Sequence, residues 1–126
     1  MTRINFSEIK RNIVYVFYAE KDTIKIPFYI GESGRGIGRF GDYISAKFSA
    51  PTDFKIGKMC KLIEENGYTV FIEYEYSDNR KTREKELIKE HQSKNLINGK
   101  FGYKYKTDNE KNILDKMKIY ADKYFK

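Results

Sequence analysis

Two tyrosines on neighbouring apolar runs, an arginine with a third tyrosine four residues on, and a glutamate on a later apolar stripe are the groups here suited to chemistry. Tyr15 ends Ile13-Val14-Tyr15, and Tyr29 sits in Phe28-Tyr29-Ile30-Gly31. Arg39 lies eight residues past Gly31 and Tyr43 one helical turn further, so both share a helix face that Lys47 extends. A guanidinium fork grips phosphate oxygens in pairs and offsets negative charge in a pentavalent phosphate. Glu84 heads a stripe continued by Leu87, Ile88 and His91 at spacings of three, four and seven. A carboxylate on a core-facing stripe is costly unless something compensates it. One divalent cation, Mg²⁺ or Mn²⁺ with water in its remaining positions, would do so; so would an ion pair with Arg80, one turn back. Strand tyrosines most often serve packing with a satisfied hydroxyl. To act as a general base, a phenol of pKa about 10 must be shifted downward.

The elements that carry these groups follow from pattern. Residues 13–18 are β-branched and aromatic and read as a buried strand; 25–30 read as its hairpin partner across a charged turn at 19–24. Pro27 has no N–H for a ladder and points to an edge or a bulge. Gly31 to Gly36 reads as a glycine-rich turn, then a helix over 37–48 with Ile37, Phe40, Ile44 and Phe48 on its apolar face. Gly38 and Gly41 weaken that helix by roughly 1 kcal/mol each relative to Ala. A second helix is predicted over 53–66, capped by Thr52 or Asp53 and ended by Gly67. Residues 68–76 are strand-like, and Asp78 is placed to cap a third helix running to His91. Phe101 to Tyr105 reads as a short strand or extended loop, and 109–125 as an amphipathic tail helix. The order β-β-α-α-β-α plus a tail helix predicts an α+β fold: a small three-stranded antiparallel sheet flanked by helices.

Composition sets the outer bounds. A chain of 126 residues with 16% aromatics supports one core, hence a single domain over 1–126 rather than a disordered basic tail. The formal charge of +7 and pI of about 9.3 suit a polyanionic partner. Cys60 is the only cysteine, which excludes an internal disulfide and a cysteine zinc cluster. With no long apolar run, no membrane partner and no secretory signal are expected. The Gly34-Arg35-Gly36-Ile37-Gly38 loop lacks a P-loop lysine, so its backbone N–H groups, with Arg35, are placed to approach a phosphate at the helix start. The lysines at 55, 58 and 61 read as a solvated helix face or as backbone contacts.

The ordered set of Tyr15, Tyr29, Gly31, Arg39, Tyr43 and Glu84 resembles the core of the GIY-YIG nucleases, over roughly residues 12–98. Tyr29-Ile30-Gly31 matches the second signature tripeptide in full. Ile13-Val14-Tyr15 stands where the first does, with isoleucine for glycine. Glu84 opens Glu-Lys-Glu-Leu-Ile, similar to the family's metal-binding glutamate, and Asn98 closes Asn-Leu-Ile-Asn like its late asparagine. Glu32 departs from the related DNA-repair nuclease domain, which carries lysine there.

The resemblance implies a Mg²⁺-dependent endonuclease acting on DNA, with one metal per active site. Glu84 would hold the metal, Arg39 would steady the phosphate, and Tyr15 would act as base or position water. Tyr29 would share the proton network, and Tyr43 would bond phosphate or a metal water. Arg35, Lys47 and Asn98 are candidate nucleic-acid contacts. Residues 99–126 would form an extension on the core. A stand-alone cytoplasmic enzyme of a bacterium or phage-infected cell, a monomer or weak homodimer, is the expectation. Two rivals remain: a non-cutting binding module on the same fold, and a basic structural or RNA-binding domain whose tyrosines are only core.

Overall fold

Seven successive residues of the first strand, Ile13 to Ala19, are buried, which requires cover on both faces of the sheet. In a computed structural model, which describes residues 1–92 and 95–126, that strand, β1 (Ile13–Lys21), is the middle of three. β2 (Ile24–Ser33) and β3 (Thr69–Tyr76) pair with it antiparallel in the order β2-β1-β3. Ile13, Tyr15, Phe17 and Ala19 face one side. There they pack with residues of α2 (Phe40–Ser45), α3 (Pro51–Glu65) and α5 (Glu110–Tyr124). Val14, Val16 and Tyr18 face the other side, against Leu87 of α4 (Arg80–Glu90), Ile30 and Leu96. The fold is α+β with a three-stranded antiparallel sheet, as the patterning predicts.

Pro27 lies both on an edge strand and at a bulge. Phe17 pairs with Tyr29 and Tyr18 with Pro27, so Phe28 is the extra residue. The bulge breaks the alternation, and both Phe28 and Tyr29 join the cluster on the α2, α3 and α5 side.

Several boundaries differ from the sequence reading. β2 runs on to Ser33, so Gly31 belongs to a strand and not to the glycine-rich turn. The helix expected over 37–48 splits into a 3₁₀ turn, Gly36–Arg39, and the short α2. Ala46, with φ of 47°, ends it in the left-handed region. The glycines at 36, 38 and 41 disfavour a longer helix. Ile44, expected in the core, is 86% exposed, and Lys47 lies past the helix end. Thr52 and Asp53 do not cap α3. Pro51 opens it at a position where no N–H is needed, after Ala50. Asn79, not Asp78, precedes α4, without a side-chain cap bond. Phe101 to Tyr105 forms no strand; Tyr103 stacks on Phe48 at 4.5 Å and its hydroxyl donates to the Phe48 carbonyl at 2.7 Å. Lys55, expected in solvent, is buried and donates to the Lys100 carbonyl at 2.8 Å. A first helical turn, α1 (Phe6–Ile9), capped by Asn5, was not apparent from the pattern.

α2 and α3 touch closely at Gly57, where a Cβ would stand 2.1 Å from the Tyr43 carbonyl oxygen. Helix propensity alone favours Gly57→Ala by about 1 kcal/mol. The steric clash, of the size of core overpacking at about 1–3 kcal/mol, outweighs it. Gly57→Ala is therefore expected to lower Tm in a thermal melt; an unchanged or higher Tm would refute the close packing of α2 on α3.

Candidate active site

Tyr15 on β1 pairs directly with Gly31 on β2. A Cβ at position 31 would meet the Tyr15 ring at 2.7 Å, so only glycine lets that ring lie across β2. Tyr29 reaches the same face through the bulge, and Tyr43 comes from α2. The three ring centroids form a near-equilateral triangle: 6.2 Å from Tyr15 to Tyr43, 6.4 Å from Tyr15 to Tyr29, and 6.4 Å from Tyr29 to Tyr43. The Tyr15 and Tyr43 hydroxyls are hydrogen-bonded to each other, and the Tyr29 hydroxyl also interacts with that of Tyr43. Tyr43 is thus the hub of a three-phenol network.

Arg39 lies over the Tyr43 ring, 4.6 Å from its centroid. Its Nη1 is 2.6 Å from Asp42 Oδ2 and 2.6 Å from Asp53 Oδ1. Burial opposes its charge, but Tyr43 and these two carboxylates more than offset that and hold its pKa above the ordinary arginine value. Asp42 also pairs with Arg35, whose side chain is otherwise exposed. The arginine is therefore fixed by two acids that sequence reasoning passed over. The i, i+3 spacing of Arg39 and Asp42 was the available signal for one of them.

Burial pushes all three phenols well above the usual tyrosine range; Arg39 pulls each of them down, but by less. The network is neutral at physiological pH. That direction is opposite to what a free phenolate base needs, so the phenols here are proton donors and acceptors within a chain.

Glu84 enters from α4, the helix on the other face of the sheet, and is partly buried. The ion pair with Arg80 does not form. Arg80 Nε instead lies 2.6 Å from Glu32 Oε2, which also neutralises the acid at position 32. Among the described residues Glu84 has no ion pair. Its carboxyl titrates above the ordinary glutamate value, first through burial and then through the Glu32 charge, with Lys85 opposing. Its charge is felt at Tyr15 and Tyr29, raising both. Among the described residues no three His, Cys, Asp or Glu cluster as a ready-made metal cage. A cation held here would have one protein carboxylate and otherwise water or phosphate ligands. That donor set fits Mg²⁺, which keeps most of its waters.

The remaining candidates fall elsewhere. Asn98 brackets Ile30: its Oδ1 accepts from the Ile30 N–H at 3.1 Å and its Nδ2 donates to the Ile30 carbonyl at 2.7 Å. Its amide braces β2 and is not turned to a ligand. Lys47 is exposed and off the Arg39–Tyr43 row, because α2 stops at Ser45. His91 packs against the Tyr18 ring, 6.3 Å between centroids, on the α4 side, away from the phenols. Burial pushes the Cys60 thiol up to about 12, as an inert packed cysteine requires. No protein-family model, curated protein or solved structure matches this chain.

The raised Glu84 pKa has a definite consequence for stability. The folded state binds its proton more tightly than the unfolded chain, so this group costs stability as pH rises from the unfolded toward the folded pKa, and the cost persists above it. Glu84→Gln is expected to melt at or above the parent Tm at pH 7, with the difference vanishing below about pH 4. A variant that melts lower at pH 7 and equally at low pH would mean that Glu84 makes a stabilising ion pair.

Proposed function

We propose that this chain is a divalent-metal-dependent endonuclease that hydrolyses phosphodiester bonds in DNA, on a core over residues 12–98 related to the GIY-YIG nucleases. The observation that carries the reading is a hydrogen-bonded Tyr15–Tyr43 pair with Tyr29 and a fixed guanidinium beside it, and a partly buried carboxylate, without an ion pair among the described residues, whose charge reaches Tyr15 and Tyr29. A basic chain of net charge +7 supports a nucleic-acid substrate. Among the described residues no helix is long and apolar enough to cross a membrane.

Glu84 would hold one Mg²⁺, which supplies Lewis acidity toward the phosphate and toward an attacking water. Arg39 has five N–H donors, and Asp42 and Asp53 both engage its Nη1, so the fork keeps donors for phosphoryl oxygens. Because the two acids fix its position beforehand, little reorganisation is needed as charge develops. Tyr43 lies between Tyr15 and Tyr29, so a proton taken from water at one phenol would release the proton of the far phenol to the leaving alkoxide or to solvent, and no phenolate would stand free. A single site of this kind cuts one strand per encounter, so nicking precedes any double-strand break. A cytoplasmic monomer or weak dimer fits this reading.

A second reading is favoured by one observation: burial lifts the phenols away from base strength, and Arg39 is already paired with two carboxylates. That is what a binding module without hydrolysis would show. Supercoiled plasmid incubated with Mg²⁺ separates the two. The hydrolase is expected to nick it, to stop in EDTA, and to lose about 10²-fold or more of its rate in Glu84→Gln and in Arg39→Ala. Plasmid binding in EDTA should survive Glu84→Gln. A parent protein that binds but never nicks would leave only the binding module, and two variants that still cut would displace the site.

A further inference from the structure

The C-terminal extension holds a second surface that the proposed active site does not use. Residues 99–126 carry eight lysines against four carboxylates, so more than half of the formal charge of +7 sits in less than a quarter of the chain. On this extension a shallow recess of 520 Å³ is lined by Lys100, Phe101, Lys116, Tyr120, Lys123 and Tyr124. None of the three phenols, Arg39 or Glu84 lines it.

The recess alternates rings with cations. Tyr120 and Tyr124 lie 4.7 Å apart between centroids, and Phe101 meets Tyr120 edge-on at 5.3 Å. The Lys100 amine sits 5.0 Å from the Tyr120 ring and the Lys123 amine 5.2 Å from the Tyr124 ring. Ile119, beside them, is 70% exposed. Tyr120 and Tyr124 flank the stripe of α5 that buries Ile113, Met117 and Ala121; with Phe101 they rest one edge on the core and, only partly buried, leave the rest of each ring to the recess.

We propose that this face binds single-stranded nucleic acid, with the lysines on phosphates and the tyrosine pair under unstacked bases. Charge complementarity selects a polyanion. The aromatic floor selects bases that are free to stack, since duplex bases present no face to a side chain. A lipid surface would use the same lysines with Ile119, but would leave the tyrosine pair without a role. The surface goes beyond the proposed hydrolase: binding is measurable without cleavage, so either reading can fail alone.

The test is fluorescence anisotropy in EDTA with a labelled oligothymidine, a duplex of equal length, and phosphatidylserine vesicles as the lipid arm. Lys116→Gln/Lys123→Gln is expected to reduce the salt slope of oligothymidine binding by about 1.4, two phosphate contacts at about 0.7 each for a single strand. Tyr124→Leu, which keeps apolar volume, is expected to weaken oligothymidine binding about tenfold and duplex binding little, with the melt of each variant checked against the parent. An unchanged salt slope in the double lysine variant would overturn the proposal. So would equal losses on duplex and single strand in Tyr124→Leu, or lysine-dependent binding to vesicles alone.

Discussion

The Tyr15 ring lies flat across a strand position that has no side chain, and much of the molecule is arranged around that contact. Any Cβ at Gly31 would meet the ring at 2.7 Å. With glycine there, the Tyr15 hydroxyl reaches Tyr43, and Tyr43 in turn seats the Arg39 guanidinium over its own ring. The neighbouring bulge brings Tyr29 to the same side. Gly57 allows α3 to approach α2 at Tyr43, and so fixes the third phenol from behind. Two glycines and one extra strand residue therefore set the position of every group in the cluster.

Electrostatics divides the molecule unevenly around that cluster. On the phenol side, the positive charge of Arg39 is matched by Asp42 and Asp53. On the α4 side, Glu32 is matched by Arg80 and Glu75 by Arg83. Among the described residues Glu84 has no ion pair, and it is close enough to Glu32 to feel repulsion. What sets Glu84 apart from the exposed acids is partial burial beside a second carboxylate, which favours its protonated form.

Much of the architecture was legible because the strands are dense in β-branched and aromatic residues. Their period and the two flanking turns gave the sheet, and Pro27 gave both its edge and its bulge. The spacing of Tyr15, Tyr29, Arg39 and Tyr43 brought those four residues forward, and the structure places them together. What pattern could not resolve was set by tertiary packing. Arg39 turned to Asp53 on another helix, Arg80 turned to Glu32 on β2 instead of to Glu84, and Lys55 was drawn inward to the Lys100 carbonyl. The helix after Gly36 stopped early because its glycines gave it no local reason to continue, and that took Lys47 off the row. Asn98 stood out in sequence, but only the fold shows its amide closing on Ile30.

That amide has a further effect on how copies of the chain behave toward one another. β2 is an outer strand, and its free side would ordinarily offer a template for cross-chain sheet growth. Asn98 occupies both polar groups of Ile30, and the Ile97 N–H takes the Phe28 carbonyl at 2.8 Å. A two-residue loop segment thus imitates a fourth strand across the stretch that carries Tyr29, shielding it from aggregation without adding a strand to the sheet.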